Sequence, residues 1–133
     1  MRVLIVEDEI SHRLLLQRYL KDVCETDVAV NGREAVDAFR KAMEDGDPYS
    51  LVLLDLEMPE MSGQEALQAM RDLESAAGVA PARQTKVLII TAHNDQKNVC
   101  DAFFKGNAAG YLIKPASLES LMGLMEDLNL IKS

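Results

Sequence analysis

The sequence predicts an α/β fold, a three-layer α/β/α sandwich around a five-stranded parallel sheet. Five short apolar runs recur along the chain, at residues 3–6, 28–30, 51–54, 87–90 and 111–113. They do not alternate polar with apolar residues, which is typical of strands that helices cover on both faces. Segments with helical spacing separate the runs, and parallel neighbouring strands need such crossover helices, which are right-handed.

Five helices are predicted between and after the strands. Apolar residues with helical spacing occupy residues 11–21, 32–44, 64–73 and, more weakly, 96–104, and a clear i, i+3, i+4 stripe begins at Leu118. Five strands and five helices in 133 residues favour the flavodoxin-like strand order 2-1-3-4-5.

Size, charge and cysteine content exclude several classes of protein. A chain of 133 residues predicts one domain over 1–133, with no separate output domain. The net charge is −8 and the basic residues are scattered, so we expect no nucleic-acid binding.

The apolar runs are far shorter than the ~20 residues of a membrane span and no signal-peptide layout is present, so we expect a cytoplasmic protein. Cys24 and Cys100 lie far apart, which predicts two reduced, partly buried thiols.

Polar residues follow four of the five predicted strands. Glu7 and Asp8 come after the first, Asp55 after the third, Thr91 after the fourth and Lys114 after the fifth. In an open α/β sheet the carboxyl ends of the strands form the ligand-binding edge, so these side chains should converge. A single carboxylate at a strand end often caps the next helix. Helix capping is a poor explanation for three acids, a hydroxyl and an ammonium at four different strand ends. We therefore predict a functional cluster.

The residue types in this cluster favour phosphoryl chemistry. The three acids are too few for a calcium cage but suit Mg²⁺, which keeps several waters and shares its coordination with phosphate oxygens. Lys114 and Thr91 could hold phosphoryl oxygens, and one acid would then be the nucleophile of an aspartyl phosphate. Nucleotide-binding glycine motifs and the G-x-S-x-G elbow are missing. We interpret His12 as a helix-surface residue and His93 as a residue of the pocket rim.

The ordered set of motifs strongly resembles the receiver domain of two-component response regulators, the CheY-like superfamily, in its single-domain form. The resemblance rests on residues 3–9, 55–63, 90–92 and 110–115 and covers essentially the whole chain. It implies a phosphoacceptor that takes phosphate from a phosphohistidine of a sensor histidine kinase or a histidine phosphotransfer protein. Such a protein signals through protein contacts and removes its own phosphate, without being a conventional turnover enzyme.

The resemblance also assigns the reacting residues. Asp55 would be the phosphorylated nucleophile, and Thr91 and Lys114 would contact the phosphoryl oxygens. The Lys114–Pro115 peptide is expected to be cis, which places the ammonium in the pocket.

A metal site is implied at the same place. Asp8, Asp55 and the backbone carbonyl of Glu57 would bind Mg²⁺, with Glu7 helping through water and with Mn²⁺ as a substitute metal. Glu7 stands where Asp is commoner in the family, a variant that should keep the metal site. Asn107 replaces the glycine usually found before the fifth strand, and Asn also tolerates the left-handed conformation.

The family's conformational switch is implied at Thr91 and Tyr111. Phosphorylation would draw the Thr91 hydroxyl inward and Tyr111 would follow, which remodels the face made by the fourth helix, fifth strand and fifth helix, where a downstream protein would bind. Tyr111 could instead be a packed aromatic on an edge strand. Glu57 and His93 would modulate the lifetime of the phosphate. We expect a monomer and leave dimerisation on phosphorylation open.

The sequence leaves two alternative functions open. A phosphatase of the haloacid-dehalogenase type also uses a strand-end Asp and Mg²⁺, but its D-x-D-x-[TV] motif has a second Asp where this chain has Glu57. Turnover of a phosphomonoester would identify it. A receiver-like adaptor that never accepts phosphate typically loses the acid pair, the Asp or the Lys, and all of them are present here.

Overall fold

The computed structural model describes residues 1–58, 60–92 and 96–132. Strands and helices alternate from the first element to the last. They are β1 (Arg2–Val6), α1 (Ile10–Leu20), β2 (Glu25–Ala29), α2 (Gly32–Glu44), β3 (Leu51–Asp55), α3 (Gly63–Ala76), a 3₁₀ turn (Pro81–Arg83), β4 (Lys86–Thr91), α4 (Gln96–Gly106), β5 (Gly110–Ile113) and α5 (Leu118–Asp127).

The strands form one parallel sheet in the order β2-β1-β3-β4-β5, which confirms the predicted fold and strand order. Successive residues of a strand point to opposite faces of a sheet, so each strand contributes to two cores. In β1, Leu4 and Val6 pack under α2, α3 and α4, whereas Val3 and Ile5 pack under α1 and α5. The two layers of helices bury the sheet on both sides.

The second strand was predicted at residues 28–30 but spans Glu25–Ala29. It lies at the edge of the sheet, and its residues alternate between exposed and partly buried positions, with only Ala29 buried. The apolar run at 28–30 therefore covers only the end of the strand, and Glu25, Thr26 and Asp27 lie outside the predicted range. Central strands are buried on both faces, and their predicted bounds differ from the observed ones by at most one residue.

The start of α3 brings this helix against the carboxyl end of β3. Ser62 caps the helix through the N–H of Glu65, and the Glu65 side chain accepts the N–H of Ser62, so the two residues form a capping box. Gly63 begins the helix where a β-carbon would overlap the backbone of Asp55 and Leu56. Only glycine permits this close approach.

Both cysteines are free, as predicted, but only Cys24 is partly buried, since Cys100 lies on the exposed side of α4. None of the described helices is long and apolar enough to cross a membrane.

Candidate functional site

An acidic cluster lies at the carboxyl edge of the sheet, where β1 and β3 are neighbours. Their register pairs Val6 with Leu54, so Glu7, Asp8 and Asp55 follow directly at the same edge. One carboxylate oxygen from each of the three residues lies within 4.8 Å of the others. Glu7 and Asp55 are buried and Asp8 is exposed, which leaves the cluster open to solvent on one side.

Lys114, directly after β5, completes the cluster. Its Nζ lies 2.9 Å from Asp55 Oδ2 and 2.9 Å from Glu7 Oε1, so one ammonium bridges the two buried carboxyl groups. The backbone N–H of Lys114 donates to the carbonyl of Thr91, and the Lys114–Pro115 peptide is cis. Thr91 itself is buried at the end of β4, where its hydroxyl donates to the carbonyl of Ala92.

Glu57 helps to fix the orientation of Asp55. The backbone N–H of Glu57 donates to Asp55 Oδ1 at 2.9 Å, while Oδ2 accepts from Lys114. The Glu57 side chain is exposed. Both oxygens of Asp55 therefore have a donor on the chain itself, and the carboxyl group is held in one orientation before any ligand arrives.

The two buried carboxyl groups differ in acidity. Burial raises the pKa of Asp55, and its hydrogen bond with Glu7 raises it further. Burial would also raise the pKa of Glu7, but hydrogen bonds with His12, Asp55 and Lys114 together lower it. Burial would lower the pKa of Lys114, but Asp55 and Glu7 raise it to about 12. Glu7 is therefore ionised first, and ionisation of Asp55 is favoured by an additional cation in the pocket.

The donor set fits Mg²⁺. Three carboxyl groups at one solvent-open edge offer hard oxygen ligands and leave room for waters and a phosphoryl oxygen. Glu7, Asp8 and Asp55 are the residues that the sequence predicted for this role, and the structure brings them together.

The structure corrects the prediction for His12. Predicted on the helix surface, it is 3% exposed, its Nδ1 lies 2.6 Å from Glu7 Oε1, and its Nε2 accepts the N–H of Ala116 at 3.1 Å. A signal for burial was present, because His12 precedes the buried Leu16 and Leu20 by four and eight residues, on one face of α1. The polarity of the imidazole outweighed this spacing and led to the surface prediction.

Glu9 is a further site residue that the sequence analysis missed. Its Oε2 lies 3.8 Å from Lys114 Nζ, and its side chain is more than half exposed. No pattern singled it out, because a solvent-exposed Glu at the start of a helix is common.

A groove of about 400 Å³ runs from the site along α4 and β5. Thr91 lines it near the acidic cluster, and Phe103 and Tyr111 line it further along β5. Tyr111 is 48% exposed and meets the Phe103 ring edge-on, with the ring centroids 6.4 Å apart. His93 lies outside the described residues, so its predicted place on the rim and its effect on phosphate lifetime stay predictions.

Asn107 has the left-handed conformation that was predicted for it, with φ of 54° directly after α4. Arg71 of α3 supports this turn, because its guanidinium donates to the carbonyls of Gly106 and Asn107. The end of α4 is thereby tied to α3.

Comparisons with known proteins agree with this geometry. The response regulator receiver domain model matches residues 3–126. The transcriptional regulatory protein SrrA of Staphylococcus aureus is 35% identical over 116 residues, which are 86% of this chain and 42% of SrrA, so the chain spans about two fifths of that relative.

Two of the solved structures with a similar fold are from Saccharomyces cerevisiae and Arabidopsis thaliana. One is the co-crystal structure of the Saccharomyces cerevisiae histidine phosphotransfer signaling protein Ypd1 and the receiver domain of its downstream response regulator Ssk1, with a TM-score of 0.81, 29% identity and coverage of 100% of this chain and 93% of that one. Another is the receiver domain of the Arabidopsis thaliana histidine kinase CKI1 with Mg²⁺ and BeF₃⁻, with a TM-score of 0.81, 25% identity and coverage of 98% and 90%. The chain belongs to the response regulator receiver domain family.

Proposed function

We propose that this chain is a Mg²⁺-dependent phosphoacceptor of two-component signalling, acting as one receiver domain over residues 1–133. It takes a phosphoryl group from a phosphohistidine onto Asp55. The observation that carries the proposal is the setting of Asp55, a buried carboxyl group held between the Glu57 N–H and the Lys114 ammonium, with Glu7 and Asp8 beside it.

The transfer needs a nucleophile in a fixed place. A carboxylate oxygen of Asp55 attacks phosphorus and the bond between phosphorus and the donor's imidazole nitrogen breaks. The donor leaves as neutral imidazole, because its other ring nitrogen carries a proton before the transfer. The hydrogen bonds from Glu57 and Lys114 orient Asp55 for this attack. Lys114 then turns from the carboxyl groups toward the new phosphoryl oxygens, which it holds as a point charge.

Asp8, Asp55 and the backbone carbonyl of Glu57 would hold the metal, with Glu7 acting through water. When bound, Mg²⁺ neutralises charge on the carboxylates and on the phosphoryl oxygens. Mn²⁺, which also prefers oxygen ligands, would substitute. The CKI1 receiver domain, whose structure contains Mg²⁺ and BeF₃⁻, supports this assignment.

The phosphorylated chain would hydrolyse its own acyl phosphate. By resemblance to the family, Glu57, whose side chain is exposed, and His93, two residues after Thr91, match the positions that flank the phosphorylation site, so each would tune how fast water attacks. Glu57→Ala and His93→Ala should each change the phosphate lifetime measured by intact mass. Lifetimes equal to that of wild type in both variants would remove these modulating roles.

The switch would act through the groove along α4 and β5. The Thr91 hydroxyl donates only to the adjacent carbonyl of Ala92 among the described contacts, so it can turn toward a phosphoryl oxygen, and Tyr111 can then move into the groove. The face around this groove exposes apolar side chains, among them Phe104 at 88%. A downstream protein would bind there. A monomer fits this scheme, and dimerisation on phosphorylation remains an outcome to test.

The phosphate donor would be a sensor histidine kinase or a histidine phosphotransfer protein in the cytoplasm. The co-crystal structure of Ypd1 with a receiver domain supports the second kind of donor. A net charge of −8 supports partners other than nucleic acid.

The proposal is tested by incubating the protein with acetyl phosphate or phosphoramidate, with Mg²⁺ or with a chelator, and following the intact mass. We expect a single-phosphate adduct that needs Mg²⁺ and is absent from Asp55→Asn. No adduct on folded wild type would favour the adaptor. Turnover of a phosphomonoester, without a lasting adduct, would favour the phosphatase.

A further inference from the structure

His12 contacts the acidic cluster from a side that the proposed transfer does not use. It lies in the first turns of α1, almost completely buried, and both of its ring nitrogens have partners on the chain. Because Nε2 accepts the Ala116 N–H, the ring proton lies on Nδ1, which donates to Glu7 Oε1 at 2.6 Å. One side chain thus connects two separate segments of the site.

The hydrogen bond to Glu7 holds this carboxylate independently of Lys114. Glu7 Oε1 accepts from both His12 and Lys114, and Lys114 is the partner that a phosphoryl group would draw away. His12 would remain in place during that change, since it is buried where α1, the helix that carries it, packs against the segment after β5. The orientation of Glu7 beside Asp55 would then be kept by His12 at 2.6 Å and by the longer hydrogen bond, at 3.5 Å, from the backbone N–H of Glu9 to Glu7 Oε2.

The hydrogen bond to Ala116 holds the segment that carries Lys114. Ala116 is buried two residues beyond Lys114, and α1 binds its peptide groups from both sides. His12 accepts the Ala116 N–H, and the Tyr19 hydroxyl donates to the Ala116 carbonyl at 3.1 Å. The position of Lys114 is therefore set by α1 as well as by β5.

We propose that His12 is a positioning residue that links Glu7 to the segment carrying Lys114 and so keeps both groups in register with Asp55. The inference rests on the proposed function, because it assumes that the cluster binds Mg²⁺ and accepts phosphate. Residues that orient metal ligands typically change metal affinity 10- to 100-fold when they are removed, which sets the size of the expected effect.

Two conservative variants separate the two hydrogen bonds. The Asn amide reaches about as far as Nδ1, so His12→Asn keeps a donor to Glu7 and loses the acceptor for Ala116. The Gln amide reaches about as far as Nε2, so His12→Gln keeps the acceptor for Ala116 and loses the donor to Glu7. Tyr19→Phe is the matched control, because it removes the other hydrogen bond to Ala116 without touching Glu7.

The first measurement is Mg²⁺ affinity, by calorimetry and by amide chemical shifts, on variants whose circular dichroism is native. We expect His12→Gln to weaken Mg²⁺ binding about 10-fold, and His12→Asn and Tyr19→Phe to stay within about 3-fold of wild type. The second is the rate of phosphate uptake from acetyl phosphate at saturating Mg²⁺. We expect the uptake rate of His12→Asn to be about 10-fold lower than that of wild type, and the uptake rate of His12→Gln to stay near that of wild type.

The outcomes distinguish the inference from the proposed function. Equal Mg²⁺ affinities and equal uptake rates in wild type and both His12 variants would overturn the positioning role, whatever the change in thermal stability. Equal losses in both variants and in both measurements would also overturn it, because a merely structural histidine would behave in that way. Wild type that neither binds Mg²⁺ nor takes up phosphate would overturn the proposed function, and this inference with it.

Discussion

Gly63 lies against Asp55 so closely that a β-carbon on Gly63 would overlap the backbone of Asp55 and Leu56. The contact fixes the start of α3 beside the proposed phosphorylation site, and it requires glycine at this position. The same helix start is held by the Ser62 and Glu65 capping box.

Gly63→Ala should therefore destabilise the protein by about 1–3 kcal/mol, because the added methyl group meets backbone that cannot move aside cheaply. It should also slow phosphate uptake, since Asp55 would shift. Gly123→Ala is the matched control, because a β-carbon there meets nothing within 4 Å. Because Gly123 lies inside α5, Gly123→Ala should stabilise the protein by about 0.5–1 kcal/mol. Urea denaturation measures both, and equal stabilities of the two variants would contradict the close contact.

Arg71 and Glu74 form a buried ion pair at 2.7 Å, on the side of the fold away from the acidic cluster. Arg71 also donates to carbonyls at the end of α4, and Glu74 accepts the N–H of Thr85. Removing one partner leaves a buried charge, so Arg71→Leu should destabilise by about 3–5 kcal/mol. Arg40→Leu, which breaks the exposed pair with Asp37, should cost less than about 1 kcal/mol. A comparable loss in both variants, measured by thermal unfolding, would argue against the buried network.

Asp55→Asn should stabilise the metal-free protein, and the gain should depend on pH. Burial and Glu7 raise the pKa of Asp55 from its unfolded value of about 4 to about 8. A raised carboxyl pKa contributes stability that is fully present below the unfolded pKa and is lost as the pH rises through the folded pKa. Asn does not ionise, so the difference between the variant and wild type should grow from pH 4 to pH 8. The free energies of unfolding of both proteins are compared in the presence of a chelator. A difference between them that stays constant from pH 4 to pH 8 would contradict the prediction.

Thr91→Ala should separate phosphate uptake from the switch. Asp55, Glu57 and Lys114 are unchanged in this variant, so Asp55 should still take up phosphate. Without the hydroxyl, the change should no longer reach Tyr111 through the groove. Amide chemical shifts of α4 and β5, compared before and after adding beryllofluoride and Mg²⁺, should change at most half as much as in wild type. Thr26→Ala on β2 is the control, and a full response in Thr91→Ala would exclude the hydroxyl from the switch.

The sequence predicted those parts of the fold whose burial is continuous. Strands β3 and β4 are buried on both faces, so their apolar runs mark them well, whereas β2 at the sheet edge keeps polar residues that hide its start. Asn107 was predicted correctly because few residues other than glycine adopt its left-handed conformation.

The missed residues are polar groups whose partners are distant in sequence. His12 was placed on the surface because imidazole is polar; its spacing from Leu16 and Leu20 indicated burial, but not its partners Glu7 and Ala116. Arg71 and Glu74 went unnoticed for the same reason, since a charged pair three residues apart on a helix normally faces solvent. Spacing within one element cannot reveal a partner that a different element brings near.

The two hydrogen bonds between α1 and Ala116 join distant parts of the chain, because they span 104 and 97 residues. Contacts with such separations form after local ones, since a long loop must close first. During synthesis, Glu7, Asp8 and Asp55 emerge from the ribosome well before Lys114. A nascent chain therefore holds the acids of the site before it holds their counter-charge, and the complete pocket is assembled only when β5 pairs with β4 and the segment after it contacts α1.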